Sequence, residues 1–354
     1  MKLRTSCLLL LGALQLPALA ANCKHVPAPE ARGAAPQRGK EVHLLVENDL
    51  FAEKVGLSKS DRWYTSGVKL IYKPEHEHPP FIGLLEALSS KKRSDYQMEY
   101  GFTLGQMMFT PSDISQSAPQ PHDRYWGGWL YFGTILQAQP CDARELGRMS
   151  TMELDVGMLG PWSLAQQSQK AIHKLVGAPM PNGWNNQLKS ELGFQFSFNH
   201  QRRIRQAQRG PLSFDLIAHA GFGIGTMFDY VNGGLTLRIG NNLEEAPVGS
   251  IEMPSLMSFG ERANRAYLLA RIDSRYSVHN TFLQGSMWRA KPHESDVRAK
   301  SFTTQATLGV VVESREWRMH RLAFLFNRRS AEFNNQPGTQ SVQNFATVMV
   351  QMDF

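Results

Sequence analysis

Apolar and polar residues alternate with a period of two over many short segments of the chain. That alternation marks strands with one face in an apolar medium and the other in a polar one. The clearest case runs from Leu192 to His200, with Leu192, Phe194, Phe196 and Phe198 facing one way and Gly193, Gln195, Ser197 and Asn199 the other. Met152, Leu154, Val156 and Met158 oppose Thr151, Glu153, Asp155 and Gly157 in the same manner. At the end of the chain Ala346, Val348, Val350, Met352 and Phe354 oppose Thr347, Gln351 and Asp353, with Phe345 and Met349 among them. Weaker stretches of similar length lie near residues 43–50, 64–73, 98–108, 127–138, 212–222, 232–240, 266–276, 303–313 and 317–328, so the pattern predicts twelve strands.

One segment departs from the dyads. After Pro161-Trp162-Ser163, residues Leu164 to Val176 take helical spacing, with Ser163 as the expected N-cap and Gly177 as the stop. Gln166, Gln169 and His173 share one face, and Ala165, Ile172, Leu175 and Val176 supply much of the apolar remainder. Such a helix needs a surface to pack on, and the rim or wall of the strand assembly is the one available.

The chain of 354 residues is 42% hydrophobic and 19% charged, which argues against long disorder. No run of 18 apolar residues occurs, so no conventional transmembrane helix is expected. Met1 to Ala20 reads as a secretory leader: Lys2 and Arg4, an apolar stretch from Cys7 to Leu16, and a small-x-small site at Ala18-Leu19-Ala20. Its removal takes Lys2 and Arg4 with it and lowers the formal charge from +7 to +5. Residues 21–40 then form a lead-in and 41–354 the folded domain. Cys23 and Cys141 remain, enough for one disulfide in an exported chain but too few for a disulfide scaffold. No basic run is interleaved with aromatics, so nucleic acid is not an expected partner.

A soluble two-sheet sandwich would also alternate. Three features favour an all-β, twelve-stranded antiparallel transmembrane barrel with a short helix in an outer loop. The segments match the length of tilted membrane-spanning strands. Many dyad strands in an exported chain match the outer-membrane signature. The terminal Phe354 ends a strand with apolar alternate positions, as outer-membrane barrels do. Closing the sheet pairs every backbone group internally, which lipid requires.

Chemistry-bearing groups are few. No Gly-x-Ser-x-Gly elbow occurs. Glu47-Asn48-Asp49 ends the first strand and Asp61-Arg62-Trp63-Tyr64-Thr65-Ser66-Gly67 leads into the second. Neighbouring strands bring Asn48, Asp49 and Thr65 together. Their oxygens suit a hard cation such as Ca²⁺, and they equally suit a polar turn. His173 is equally open: a general base near neutrality, or a solvent-facing side chain.

Taken in order, several segments resemble the lipid A 3′-O-deacylases of the Gram-negative outer membrane. They are Glu47-Asn48-Asp49-Leu50-Phe51, the Asp61–Gly67 segment, Asp123-Arg124-Tyr125-Trp126-Gly127-Gly128-Trp129-Leu130-Tyr131, Gly160-Pro161-Trp162-Ser163 with Gln169-Lys170-Ala171-Ile172-His173, and Gly183-Trp184-Asn185-Asn186-Gln187-Leu188. The resemblance covers roughly residues 40 to 354 and implies a twelve-stranded barrel in the outer membrane acting on lipid A; a monomer is expected, though nothing in the residues fixes the oligomeric state. It also implies a site between the barrel wall and a helix at the outer rim. There His173 would be the general base, Gln169 would shape the same face, and Asn48, Asp49 and Thr65 would stand at a Ca²⁺ site. Arg124 would meet a lipid phosphate. The chain departs from the family at Tyr125-Trp126-Gly127, where Pro-Tyr-Ala is commoner, and at Leu50, where some members carry a second acid.

Two other readings are an outer-membrane phospholipase A, for which Ser277-Val278-His279-Asn280 is a scrambled echo of the required motif, and a passive porin.

Overall fold

The computed structural model describes residues 40–49, 63–74, 96–140, 147–243, 246, 248, 264–334 and 342–353. The leader, Cys23, Cys141, Leu50, Asp61, Arg62 and nearly all of 244–263 lie outside the described residues.

Twelve strands close into one antiparallel barrel. They are β1 (Glu41–Asn48), β2 (Trp63–Lys73), β3 (Tyr96–Thr110), β4 (Gly127–Pro140), β5 (Arg148–Leu159), β6 (Glu191–Arg209), β7 (Leu212–Gly225), β8 (Phe228–Gly240), β9 (Arg265–Asn280), β11 (Phe302–Glu313), β12 (Arg321–Ser330) and β14 (Val342–Asp353). Each of the twelve expected segments falls on one of them. Two short strands, β10 (Arg298–Ala299) and β13 (Phe333–Asn334), pair with each other outside the barrel wall. The seam joins β1 to β14 with Glu41 opposite Asp353 and Asn48 opposite Ala346. Both described ends of the chain therefore lie at one end of the barrel, here the terminal end. The other end is the distal rim. It carries α1 (Ala165–Val176), preceded by a 3-10 turn at Gly160–Ser163, and the one-turn α2 (Thr281–Gln284).

The burial pattern is that of a membrane barrel, apolar outside and polar within. On β5, Leu154 and Val156 are 46% and 47% exposed, while Glu153 and Asp155, which alternate with them, are buried. Leu104, Phe132, Phe194, Leu268, Leu308 and Phe324 are exposed on other strands. Buried charge in the lumen is paired, as burial requires. Lys69 bonds Glu153 at 2.5 Å, Arg238 and Arg203 hold Asp215 at 2.5 and 3.1 Å, and His219 meets Asp273 at 2.6 Å. A buried apolar layer that includes Leu45, Ile71, Ile135, Leu269, Val311 and Leu325 adds a packed core.

Three local expectations shift. β6 continues to Arg209 rather than ending near His200, because Gly210 at φ 61 lets it turn directly into β7. Its polar tail, Gln201 to Arg209, hides that extension from a hydropathy reading. β12 begins at Arg321, and Trp317 and Met319 are exposed before it. The N-cap of α1 is Leu164, held at φ 59, not Ser163. Ser163 closes the preceding 3-10 turn instead, donating from Oγ to the Gly160 carbonyl at 2.6 Å.

Candidate active site

The pleat separates two environments at the distal ends of β1 to β3. Glu47, Tyr64, Met107 and Phe109 line a cavity on the lumen side. Asn48, Thr65, Ser66 and Met108, next to them in sequence, line a different one on the outer side of the wall. Thr65 is placed there by a bulge. The β2–β3 register steps from Tyr64–Phe109 to Ser66–Met108, leaving Thr65 as the extra residue. A bulge turns a side chain that regular pairing would direct elsewhere. Thr65 Oγ1 lies 2.8 Å from Thr110 Oγ1 on β3.

α1 forms the opposite wall of this outer cavity. Its docking follows from the Trp126-Gly127-Gly128-Trp129 segment. A Cβ on Gly128 would collide with Ala165 Cβ and Ser163 Oγ, so glycine lets the start of the helix lie against β4. Gln106 on β3 donates to the Ser163 carbonyl at 2.7 Å. The Leu188 N–H donates to the Trp126 carbonyl at 2.9 Å and the Asn182 N–H to Ile114 at 2.8 Å, fastening the rest of the loop. Gly177, at φ 70, ends the helix as expected, its N–H donating to the His173 carbonyl.

The face that α1 buries is its polar one. Gln169 and His173 are 2% and 6% exposed, whereas Leu175 is 85% exposed. A soluble protein would reverse this; beside a membrane the apolar face turns outward and the polar face inward to the cavity. Trp184 Nε1, a donor only, donates to Gln169 Oε1 at 2.7 Å and so fixes the amide. Gln169 Nε2 is then a buried donor with no protein acceptor among the described residues. His173 Nδ1 lies 2.6 Å from the Pro179 carbonyl oxygen. A carbonyl only accepts, so Nδ1 carries the proton and Nε2 is the basic nitrogen of the neutral ring.

Asn48, Thr65, Gln169 and His173 thus share one cavity of about 290 Å³. Asp49 is buried immediately after Asn48 but does not line it. Arg124 is not brought there either: its guanidinium is fully buried, 3.2 Å from Glu332 and stacked 4.8 Å over Phe109. Sequence reasoning missed Ser112, Asp113, Ile114 and Ser115, which line the same cavity after β3. Hydrogen bonds from Ser115 hold the Asp113 carboxyl below its ordinary value. The Ser-Asp-x-Ser spacing after Pro111 is a readable turn signal, though not a functional one.

Two sets of metal donors come into view. Asn48 and Thr65, which line the cavity, and Asp49, which does not, offer amide, hydroxyl and carboxylate oxygens, donor types that suit a hard cation such as Ca²⁺. Among the described residues, the one group of three or more acids and histidines that can hold a metal is Glu41, His320 and Asp353, with ligand atoms within 4.8 Å of one another. That group sits at the terminal end, away from His173.

The family model for "Outer membrane protein LpxR" matches residues 6–354. The chain belongs to the LpxR family. Among solved structures, LpxR from Salmonella typhimurium superposes with a TM-score of 0.69 at 16% identity, covering 89% of this chain and 100% of that one. At that identity the likeness shows a shared LpxR-type barrel. The beta domain of the Bordetella autotransporter BrkA follows with a TM-score of 0.43 at 11% identity, covering 89% of this chain and 99% of that one. No curated protein sequence matches the chain.

Proposed function

We propose that this LpxR-family barrel is an outer-membrane ester hydrolase that removes a 3′-linked acyloxyacyl chain from lipid A. The observation that carries the reading is the convergence of Asn48, Thr65, Gln169 and His173 on one cavity, with the tautomer of His173 set by Pro179. Asn48 and Thr65 in the cavity, with the Asp49 carboxylate turned toward them, would hold Ca²⁺, which when bound supplies positive charge to an ester carbonyl. His173 Nε2 takes a proton from water as the water oxygen attacks the carbonyl carbon. Gln169 Nε2–H is a preorganised donor for the oxygen that becomes negative. The resulting tetrahedral species collapses by breaking the bond to the sugar oxygen, which leaves with the proton held on His173. A free fatty acid and a sugar hydroxyl result, with no acyl-enzyme and no need of a serine nucleophile. Arg124 can meet a lipid phosphate in this reading only by exchanging Glu332 for it.

The two other readings find less support. Ser277 opens on the lumen, and the ring of His279 bonds Thr281 at 3.0 Å rather than Ser277. A porin needs a water-filled lumen, and this lumen holds paired charges and a packed apolar layer.

The test is mass spectrometry of lipid A from cells expressing the wild type or His173→Ala. Loss of an acyl chain with the wild type alone, stopped by chelating Ca²⁺, is expected. The variant should lose about 10²–10⁴-fold in rate. Unchanged lipid A beside a folded wild-type barrel in the outer membrane overturns the assignment.

A further inference from the structure

We propose that the distal mouth of the lumen is a second binding site, separate from the His173 cavity, that takes a phosphorylated saccharide. The two cavities share no lining residue and lie on opposite sides of the barrel wall.

The lumen cavity, about 190 Å³, is lined at its distal end by Arg275, Lys300, Arg329 and Glu332. Register explains why they meet. Arg275 on β9 stands opposite Thr303 on β11, and Gln305 on β11 stands opposite Arg329 on β12. The small β10–β13 sheet then brings the Lys300 N–H to the Glu332 carbonyl at 2.8 Å.

The acids deeper in the cavity are committed. Glu47 accepts from Tyr64 at 2.5 Å and Thr347 at 3.1 Å, Glu153 from Lys69, Asp155 from Thr103 at 2.9 Å, and Asp273 pairs with His219. Glu332 is engaged from behind by Arg124 at 3.2 Å and stands 3.8 Å from Arg329.

The cations at the mouth are not committed to the same degree. The Arg275 guanidinium lies 4.1 Å over the Tyr230 ring; its charge acts on Glu332 and Asp273, but among the described residues it makes no hydrogen bond or close ion pair. The Lys300 ammonium likewise has none among them. Arg329 donates from Nε to Gln305 at 2.9 Å. Three half-buried cations around the one carboxylate of Glu332, which Arg124 already engages, leave a surplus of positive charge that an arriving anion would pair. A phosphate satisfies an arginine fork and a lysine together. Ser277, Thr303 and Thr304 line the same cavity and offer hydroxyl groups, the hydrogen-bonding partners that a sugar joined to the phosphate uses.

Titration calorimetry of the full chain in detergent tests this, with glucose 1-phosphate as probe and inorganic phosphate and glucose as comparators. Binding of glucose 1-phosphate, weakened by about tenfold or more in Arg275→Gln and in Lys300→Gln, is expected. Arg275→Lys should retain part of it, and His173→Ala should leave it unchanged, so the result is independent of the hydrolase reading. No binding by the wild type, or undiminished binding in Arg275→Gln/Lys300→Gln with the barrel still heat-modifiable on gels, overturns the site. Equal affinity for inorganic phosphate overturns the saccharide part.

Discussion

Glu332 sits in the rim between β12 and β13 with Arg124, Arg329 and Arg275 around it. Burial alone would raise its pKa, but those three guanidinium groups hold it below the ordinary glutamate value. Burial pulls the Arg124 guanidinium down by more than Glu332 and Asp123 restore, yet a guanidinium begins so high that it stays charged. The sign of the pH effect follows from the carboxylate. Its folded pKa is depressed, so its contribution to stability is complete above pH of about 4.5 and fades as pH falls through the folded value. Glu332→Gln should remove that acid limb from a thermal-stability profile. It should also lower stability at neutral pH by about 3–5 kcal/mol, because Arg124 stays buried without its counter-charge. A melting profile between pH 3 and pH 7 with the same shape in both proteins would show that the pair contributes nothing. The family resemblance implied that Arg124 would meet a lipid phosphate; its partner lies 208 residues away, a distance no local pattern reports.

At the scale of elements, the strands were legible and the helix only half so. Dyads survive because every barrel strand faces lipid on one side and the lumen on the other, as Leu154 and Glu153 do. The start of α1 was misread at Ser163, since the chain enters through a left-handed Leu164 that no propensity anticipates. Its buried polar face, Gln169 and His173, was visible as a face, but which side would be covered depended on the membrane outside. What holds the helix is a glycine two strands away in the chain. Gly128→Val would place side-chain atoms where Ala165 and Ser163 pack. This variant should leave the barrel intact, as judged by heat-modifiable mobility, while α1 becomes sensitive to added protease and lipid A modification falls. Full activity in Gly128→Val would mean that α1 need not sit against β4. The Asn48–Thr65 placement was legible only in part: adjacency of β1 and β2 was expected, but the bulge that sets Thr65 apart from Tyr64 was not.

The whole molecule is held across its lumen as well as around its wall. β2 and β5 are not neighbours; β3 and β4 stand between them. Lys69 and Glu153 nevertheless meet at 2.5 Å, each side chain 1% exposed, so the pair is a strut across the lumen interior. Such a pair is costly to break and often costs little to replace, because the desolvation penalty of two charges offsets most of their attraction. Lys69→Met should destabilise the barrel by about 3–5 kcal/mol, since Glu153 is then buried beside Asp155 with no cation. Lys69→Met/Glu153→Leu should recover most of that loss. Denaturant midpoints in detergent for the two singles and the double give the coupling directly. If Lys69→Met alone leaves the midpoint unmoved, water reaches Glu153 freely, the lumen is wetter than its packing indicates, and the argument against a conducting barrel loses its main physical support.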